Sequence, residues 1–143
     1  IQELLELLEQ KQIITTRQKE AVPKEKIYEF TKSKIFAELA EAKEVYREQP
    51  FYINIPVKEL YEIKSEENIL VQGIIDLYYI NKNDELVLVD YKKDYIPENY
   101  EKNLKYKYTS QLEIYKRALE QALNRKVDST YIYSTYLGKE IKM

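Results

Sequence analysis

The sequence contains neither cysteine nor histidine. Without cysteine there is no disulfide, no iron–sulfur cluster and no thiol nucleophile within the chain. Without histidine there is no imidazole acid–base chemistry and no histidine-ligated metal. Any chemistry must come from carboxylates, lysine, tyrosine, serine or threonine. Carboxylates acting alone favour hard cations such as Mg²⁺, Mn²⁺ or Ca²⁺. No apolar run is long enough to cross a bilayer and no signal peptide is present, so a cytoplasmic location without a membrane partner is expected. Glycine is nearly absent too, with two residues, whereas tyrosine occurs fifteen times.

The chain is long enough, at 143 residues, for one domain with its own core. Apolar residues make up 44% and charged residues 34%, a globular balance with a heavily charged surface. The net charge of −2 gives no global basic field. Charge is nevertheless uneven: residues 92–117 carry seven Lys/Arg against four acids. The chain begins at Ile1 without methionine and reads as a piece of a longer protein.

Residues 1–11 place Ile1, Leu4, Leu5 and Leu8 at helical spacing. Thr15 and Thr16 can cap a short helix over 17–21, and Pro23 can open the next, with Ile27, Phe30 and Ser33 on one side. Helical periodicity continues over 34–43. Strand patterning then takes over at 44–57, with Phe51, Ile53 and Ile55 on one face and Tyr52 and Asn54 on the other. Further strands are expected at 69–80 and 85–92, joined by a turn at Asn81-Lys82-Asn83-Asp84. Pro97 marks a loop, and a long helix spans about 99–124. A strand over 129–137 and a tight turn at Gly138 lead to a short final strand. A hairpin followed by a crossover helix and another strand implies an α/β fold with a mixed sheet.

In the stretch VLVDYKKD, residues 87–94, an apolar strand runs into Asp90 and Lys92, which point the same way because they are two apart. Alone, this pair fits a strand emerging into water as well as one delivering charges to a site. A hairpin turn centred near 82–83 sets Asp76 opposite Val89 and diagonal to Asp90, roughly 5–8 Å apart at Cβ. Two carboxylates that close repel unless a divalent cation lies between them. The Tyr91 backbone carbonyl is directed to the same edge and is a further candidate ligand. Gly73 offers a position where backbone or ligand can approach closely. Such an arrangement suits phosphodiester hydrolysis: a held cation polarises the phosphate and acidifies water, and Lys92 stabilises the developing charge.

The segments GIID (73–76), VDYK (89–92) and QLEIYKRAL (111–119) together resemble the RecB-like nucleases of the PD-(D/E)XK superfamily, nearest to the C-terminal nuclease domain of AddA-type helicase–nuclease subunits. REQPF (47–51) also resembles a strand upstream in that group. The resemblance implies a restriction-endonuclease-like mixed sheet flanked by helices, here one domain over 1–143 with a helical lead-in (1–43) before the core (44–143). It implies Asp76 and Asp90 as metal ligands, Lys92 as the catalytic lysine, and Gln111 and Tyr115 as helix residues lining the site. Gln111 and Tyr115 are i, i+4 and share a helix face; the plainer alternatives are a solvated glutamine and a core tyrosine.

The resemblance further implies an Mg²⁺- or Mn²⁺-dependent exonuclease acting on single-stranded DNA, unwound by an ATP-driven helicase region outside this chain, in double-strand break repair and recombination. An AddB-type partner would cut the other strand. No iron–sulfur cluster is expected, which sets the chain apart from some CRISPR-associated nucleases sharing the motif. There are two departures from the family pattern. AddA-like sites include an upstream histidine, absent here, so a non-cutting module serving DNA binding or subunit docking is the alternative. Lys93 stands where the family usually has Thr and should face away from Lys92, while Asp94 matches and should orient the loop. Glu48 is a further acid, read more simply as a surface residue beside Arg47. Tyr95, Tyr100, Tyr106 and Tyr108 interleave with Lys102, Lys105 and Lys107, a pattern suited to single strands but equally to a helix packed on a sheet.

Overall fold

The computed structural model describes residues 1–60, 64–95 and 100–143. Four short helices come first: α1 (Gln2–Gln10), α2 (Thr16–Ala21), α3 (Lys24–Thr31) and α4 (Lys34–Ala40). Two of the starts have a clear local cause. Thr15 caps α2 in a reciprocal capping box with Gln18. Ser33 caps α4 through the Phe36 N–H, rather than lying on the face of α3 as its spacing suggests. Helix α4 also ends earlier than the expected residue 43.

Five strands follow: β1 (Glu44–Pro56), β2 (Asn68–Ile80), β3 (Leu86–Lys92), β4 (Ser129–Ser134) and β5 (Lys139–Lys142). A single turn, α5 (Val57–Leu60), leaves β1, and the long helix α6 (Tyr100–Leu123) joins β3 to β4. The expected Pro97 loop lies outside the described residues. The sheet order is β1-β2-β3-β4-β5, with β3 and β4 parallel and the other neighbours antiparallel. This is the expected α/β architecture with a mixed sheet. β4 stops at Ser134 rather than 137, and Gly138 (φ 66) closes the turn to β5 from the left-handed region.

The β2–β3 register differs by one from the expectation. Leu77, not Asp76, pairs with Val89. The loop explains the slip. Asn81 N–H donates to the Glu85 carbonyl, Asn81 Oδ1 accepts from the Asn83 and Glu85 N–H groups, and Asp84 turns left-handed (φ 67). The hairpin therefore has three loop residues, centred on Asn83.

The sheet has a core on each face. On one, Leu86 and Leu88 join Phe51, Ile53, Ile55, Ile75 and Tyr78 beneath Ala118 and Leu119 of α6. On the other, Val87 and Val89 join Leu77, Tyr79 and Tyr133, with Ile35, Phe30 and Leu39 of the early helices. Strict alternation would keep Val45 and Phe51 on one face, and likewise Ile75 and Leu77. Each pair instead divides between the two cores. The change falls at Glu48, whose φ of 51 is unusual for a residue with a side chain, and at Asp76 facing it on β2. Pairing continues on both sides, Arg47 with Leu77 and Gln49 with Ile75. Both strands thus twist so that their buried side chains change face at this level, and Asp76 sits where they do so.

Candidate active site

The β2–β3 ladder ends at Leu77–Val89. One step further, Asp76 lies across from Asp90, and its side chain replaces the missing backbone pairing: Oδ2 accepts the Tyr91 N–H at 2.9 Å. In an extended residue the N–H and C=O point to the same side, so the Tyr91 carbonyl is directed into the same gap. Asp90 is buried, 2% exposed, at the end of an all-apolar run.

Asp90 and Lys92 share the α6 face of β3, as the period of two requires. Lys92 Nζ lies 2.6 Å from Asp90 Oδ2 in a buried ion pair. Lys92 Nζ donates to Gln111 Oε1 at 2.9 Å, and Gln111 Nε2 donates to the Tyr115 hydroxyl at 3.1 Å. All five residues singled out in the sequence meet at this one place. Gln111 is a lysine partner rather than a solvated residue. Tyr115 does both jobs considered for it: its ring packs edge-on against Phe51 at 5.3 Å while its hydroxyl enters the polar chain.

Burial pushes the Asp90 carboxyl above the usual carboxylate range; the Asp76 charge adds to this and Lys92 opposes it. Burial raises the Tyr115 phenol, with the Asp90 charge reinforcing it. Tyr91, 37% exposed, is pushed up to about 12, chiefly by burial.

Tyr108 belongs to the site in a way the sequence did not show. Lys92 Nζ lies 4.3 Å from its ring centroid, and its hydroxyl donates to Asp94. The available signal was the spacing 108, 111, 115 along one face of α6. The expected role of Asp94 in orienting the segment after β3 is consistent with these bonds; Lys107 also reaches it at 3.2 Å. Lys93 is exposed. Gly73 differs from expectation: a Cβ there would lie 2.7 Å from the Phe51 ring, so the space is taken by an aromatic side chain rather than by backbone or ligand. Of the interleaved tyrosines, Tyr95 packs on Tyr136 at 4.7 Å and Tyr106 is 89% exposed.

The donor set suits a hard cation. Two carboxylates, one of them buried, and a backbone carbonyl are ligands of the type Mg²⁺ or Mn²⁺ takes, and Mg²⁺ commonly keeps several waters beside one or two carboxylates. Among the described residues no group of three or more Asp, Glu, His or Cys gathers.

A strand pair that parts at two acids, with a lysine two residues after the second and a crossover helix packed over it, is the arrangement of a PD-(D/E)XK nuclease. The chain belongs to that superfamily, whose sequence pattern matches residues 2–142. Among curated proteins it is similar to the A-subunit of the ATP-dependent helicase/nuclease of Clostridium acetobutylicum, 44% identical over 138 residues. The equivalent protein of Clostridium novyi is 39% identical over 144 residues, and that of Syntrophomonas wolfei 35% over 143. These alignments cover 93%, 97% and 99% of this chain but 11%, 12% and 11% of those proteins, so the chain spans a small part of their length. No described helix is long and apolar enough to cross a membrane.

Proposed function

We propose that residues 1–143 form the RecB-like nuclease domain of an AddA-type helicase–nuclease, hydrolysing phosphodiester bonds of single-stranded DNA in cytoplasmic double-strand break repair. The observation that carries this reading is the convergence of Asp76, Asp90, Lys92, Gln111 and Tyr115 where β2 and β3 part. The names of the similar proteins support a helicase–nuclease setting. An ATP-driven helicase region outside this chain would deliver the strand, and an AddB-type partner would cut the complementary one.

Asp76, Asp90 and the Tyr91 carbonyl would hold Mg²⁺ or Mn²⁺. When bound, such an ion polarises the phosphate and lowers the pKa of bound water. Lys92 stabilises negative charge developing on phosphorus and its attacking oxygen. Gln111 and the Tyr108 ring fix the lysine, and Tyr115 fixes Gln111. The full polypeptide should cleave single-stranded DNA only with Mg²⁺ or Mn²⁺ present, and Asp90→Ala or Lys92→Ala should abolish cleavage. Unchanged cleavage in both variants would show the assignment to be wrong.

A second reading, a nuclease fold that serves DNA binding or subunit docking without cutting, rests on the absence of histidine from the chain and of a third clustered acid among the described residues. Calorimetric titration with Mn²⁺ separates the two. Binding lost in Asp90→Ala supports the nuclease, and no binding by the full polypeptide supports the docking module.

A further inference from the structure

The catalytic lysine meets Asp90 on the α6 face, whereas a cavity of ≈ 520 Å³ reaches Asp76 from the other. It is lined by Arg47, Glu48, Asp76, Leu77 and Tyr91. Arg47 is exposed and, among the described residues, has no carboxylate within ion-pair distance. By contrast, Arg117 pairs with Glu59 and Arg125 with Asp84. The positive charge of Arg47 is felt at the Tyr91 hydroxyl across the cavity.

We infer that Arg47 binds a backbone phosphate of the DNA strand in this cavity, on the opposite side of the two aspartates from Lys92. The inference rests on the nuclease reading and adds a substrate contact to it. A guanidinium matches the planar, bidentate geometry of a phosphate, and no carboxylate of the described residues lies within ion-pair distance of it. The left-handed Glu48 lies beside Arg47 and faces Asp76, at the twist that brings a β1 residue alongside the acid of β2. The lining side chains carry one positive and two negative charges, so the cavity repels an anion until a divalent cation offsets the acids. Phosphate binding through Arg47 is therefore coupled to the cation.

The test measures binding of a single-stranded oligonucleotide to the full polypeptide in Ca²⁺, so that affinity is read apart from turnover. Arg47→Ala should weaken binding roughly tenfold, the scale of one charged hydrogen-bonded contact. It should also reduce the slope of log affinity against log salt by about 0.7, the value for one phosphate on a single strand. Arg47→Lys should retain the slope and part of the affinity. In oligonucleotides with one neutral methylphosphonate linkage moved along the chain, the native protein should lose affinity at one position where Arg47→Ala loses none. An unchanged slope and linkage profile in Arg47→Ala overturns the inference, as does a lowered melting temperature with an unchanged slope. Cation-dependent cleavage by the native protein tests the nuclease reading separately.

Discussion

The ammonium of Lys92 lies 4.3 Å from the centroid of the Tyr108 ring, one turn of α6 before Gln111. The ring face holds the cation from one side while Gln111 accepts a hydrogen bond and Asp90 supplies the counter-charge. A cation over an aromatic face is worth about 0.5–2 kcal/mol. Tyr108→Leu should therefore lower kcat for strand cleavage by about 2- to 30-fold. Tyr108→Phe keeps the ring and loses only the hydroxyl bond to Asp94, so it should retain most activity. Equal losses in the two variants would assign the positioning to the Asp94 bond instead.

Gln111 is the middle of a chain from Lys92 to Tyr115. Gln111→Leu removes the acceptor for a charged donor, a loss of about 1.5–3 kcal/mol. If Lys92 acts on the transition state, the loss should appear in kcat with KM nearly unchanged. Tyr115→Phe retains packing on Phe51 and removes one neutral hydrogen bond, so its kcat should fall by less, about 0.5–1.5 kcal/mol in barrier. Steady-state kinetics on one single-stranded substrate checks both variants.

The raised Asp90 carboxyl makes a pH prediction. Burial favours the neutral acid more in the folded, cation-free protein than in the unfolded chain, so stability is lost as pH rises from the ordinary value of 3.8 through the elevated folded value. Asp90→Asn removes that loss. In EDTA the variant should melt at or above the native temperature at neutral pH, and the gap should close below the ordinary value. With Mn²⁺ the order should reverse, because only the native carboxylate binds the ion. A variant less stable than the native protein in EDTA would mean that the Lys92 pair outweighs burial.

Gly73 has no Cβ because the Phe51 ring occupies that space. Gly73→Ala forces the ring against its neighbours, including Tyr115, and should cost about 1–3 kcal/mol, as overpacking does. Combining it with Phe51→Leu should recover part of that loss. Chemical denaturation of the four proteins in the cycle measures the coupling, and simple additivity would show that the ring is not the obstacle.

Much of this was legible in the linear sequence because it depends on short-range periods. Asp90 and Lys92 share a face because side chains alternate along a strand, and Gln111 and Tyr115 share one because a helix repeats every 3.6 residues. The buried stripe Phe51, Ile53, Ile55 is visible for the same reason. Composition excluded thiol and imidazole chemistry before any fold was considered. Other features depended on partners distant in sequence. The one-residue register slip follows from how Asn81 and Asp84 build a three-residue loop. The occupant of the space at Gly73 came from β1, and the ring under Lys92 came from α6.

The sequence by itself determined the chemistry available: two acids, a lysine, a glutamine and a tyrosine, each aimed by its own element. Tertiary structure alone decided that they meet, and from which sides. β1 and β2 both change faces at Glu48 and Asp76, although their pairing register is the same on either side. That twist arises from pairing and packing between two whole strands. It leaves Asp76 accepting the Tyr91 N–H of β3 and lining the cavity that holds Arg47.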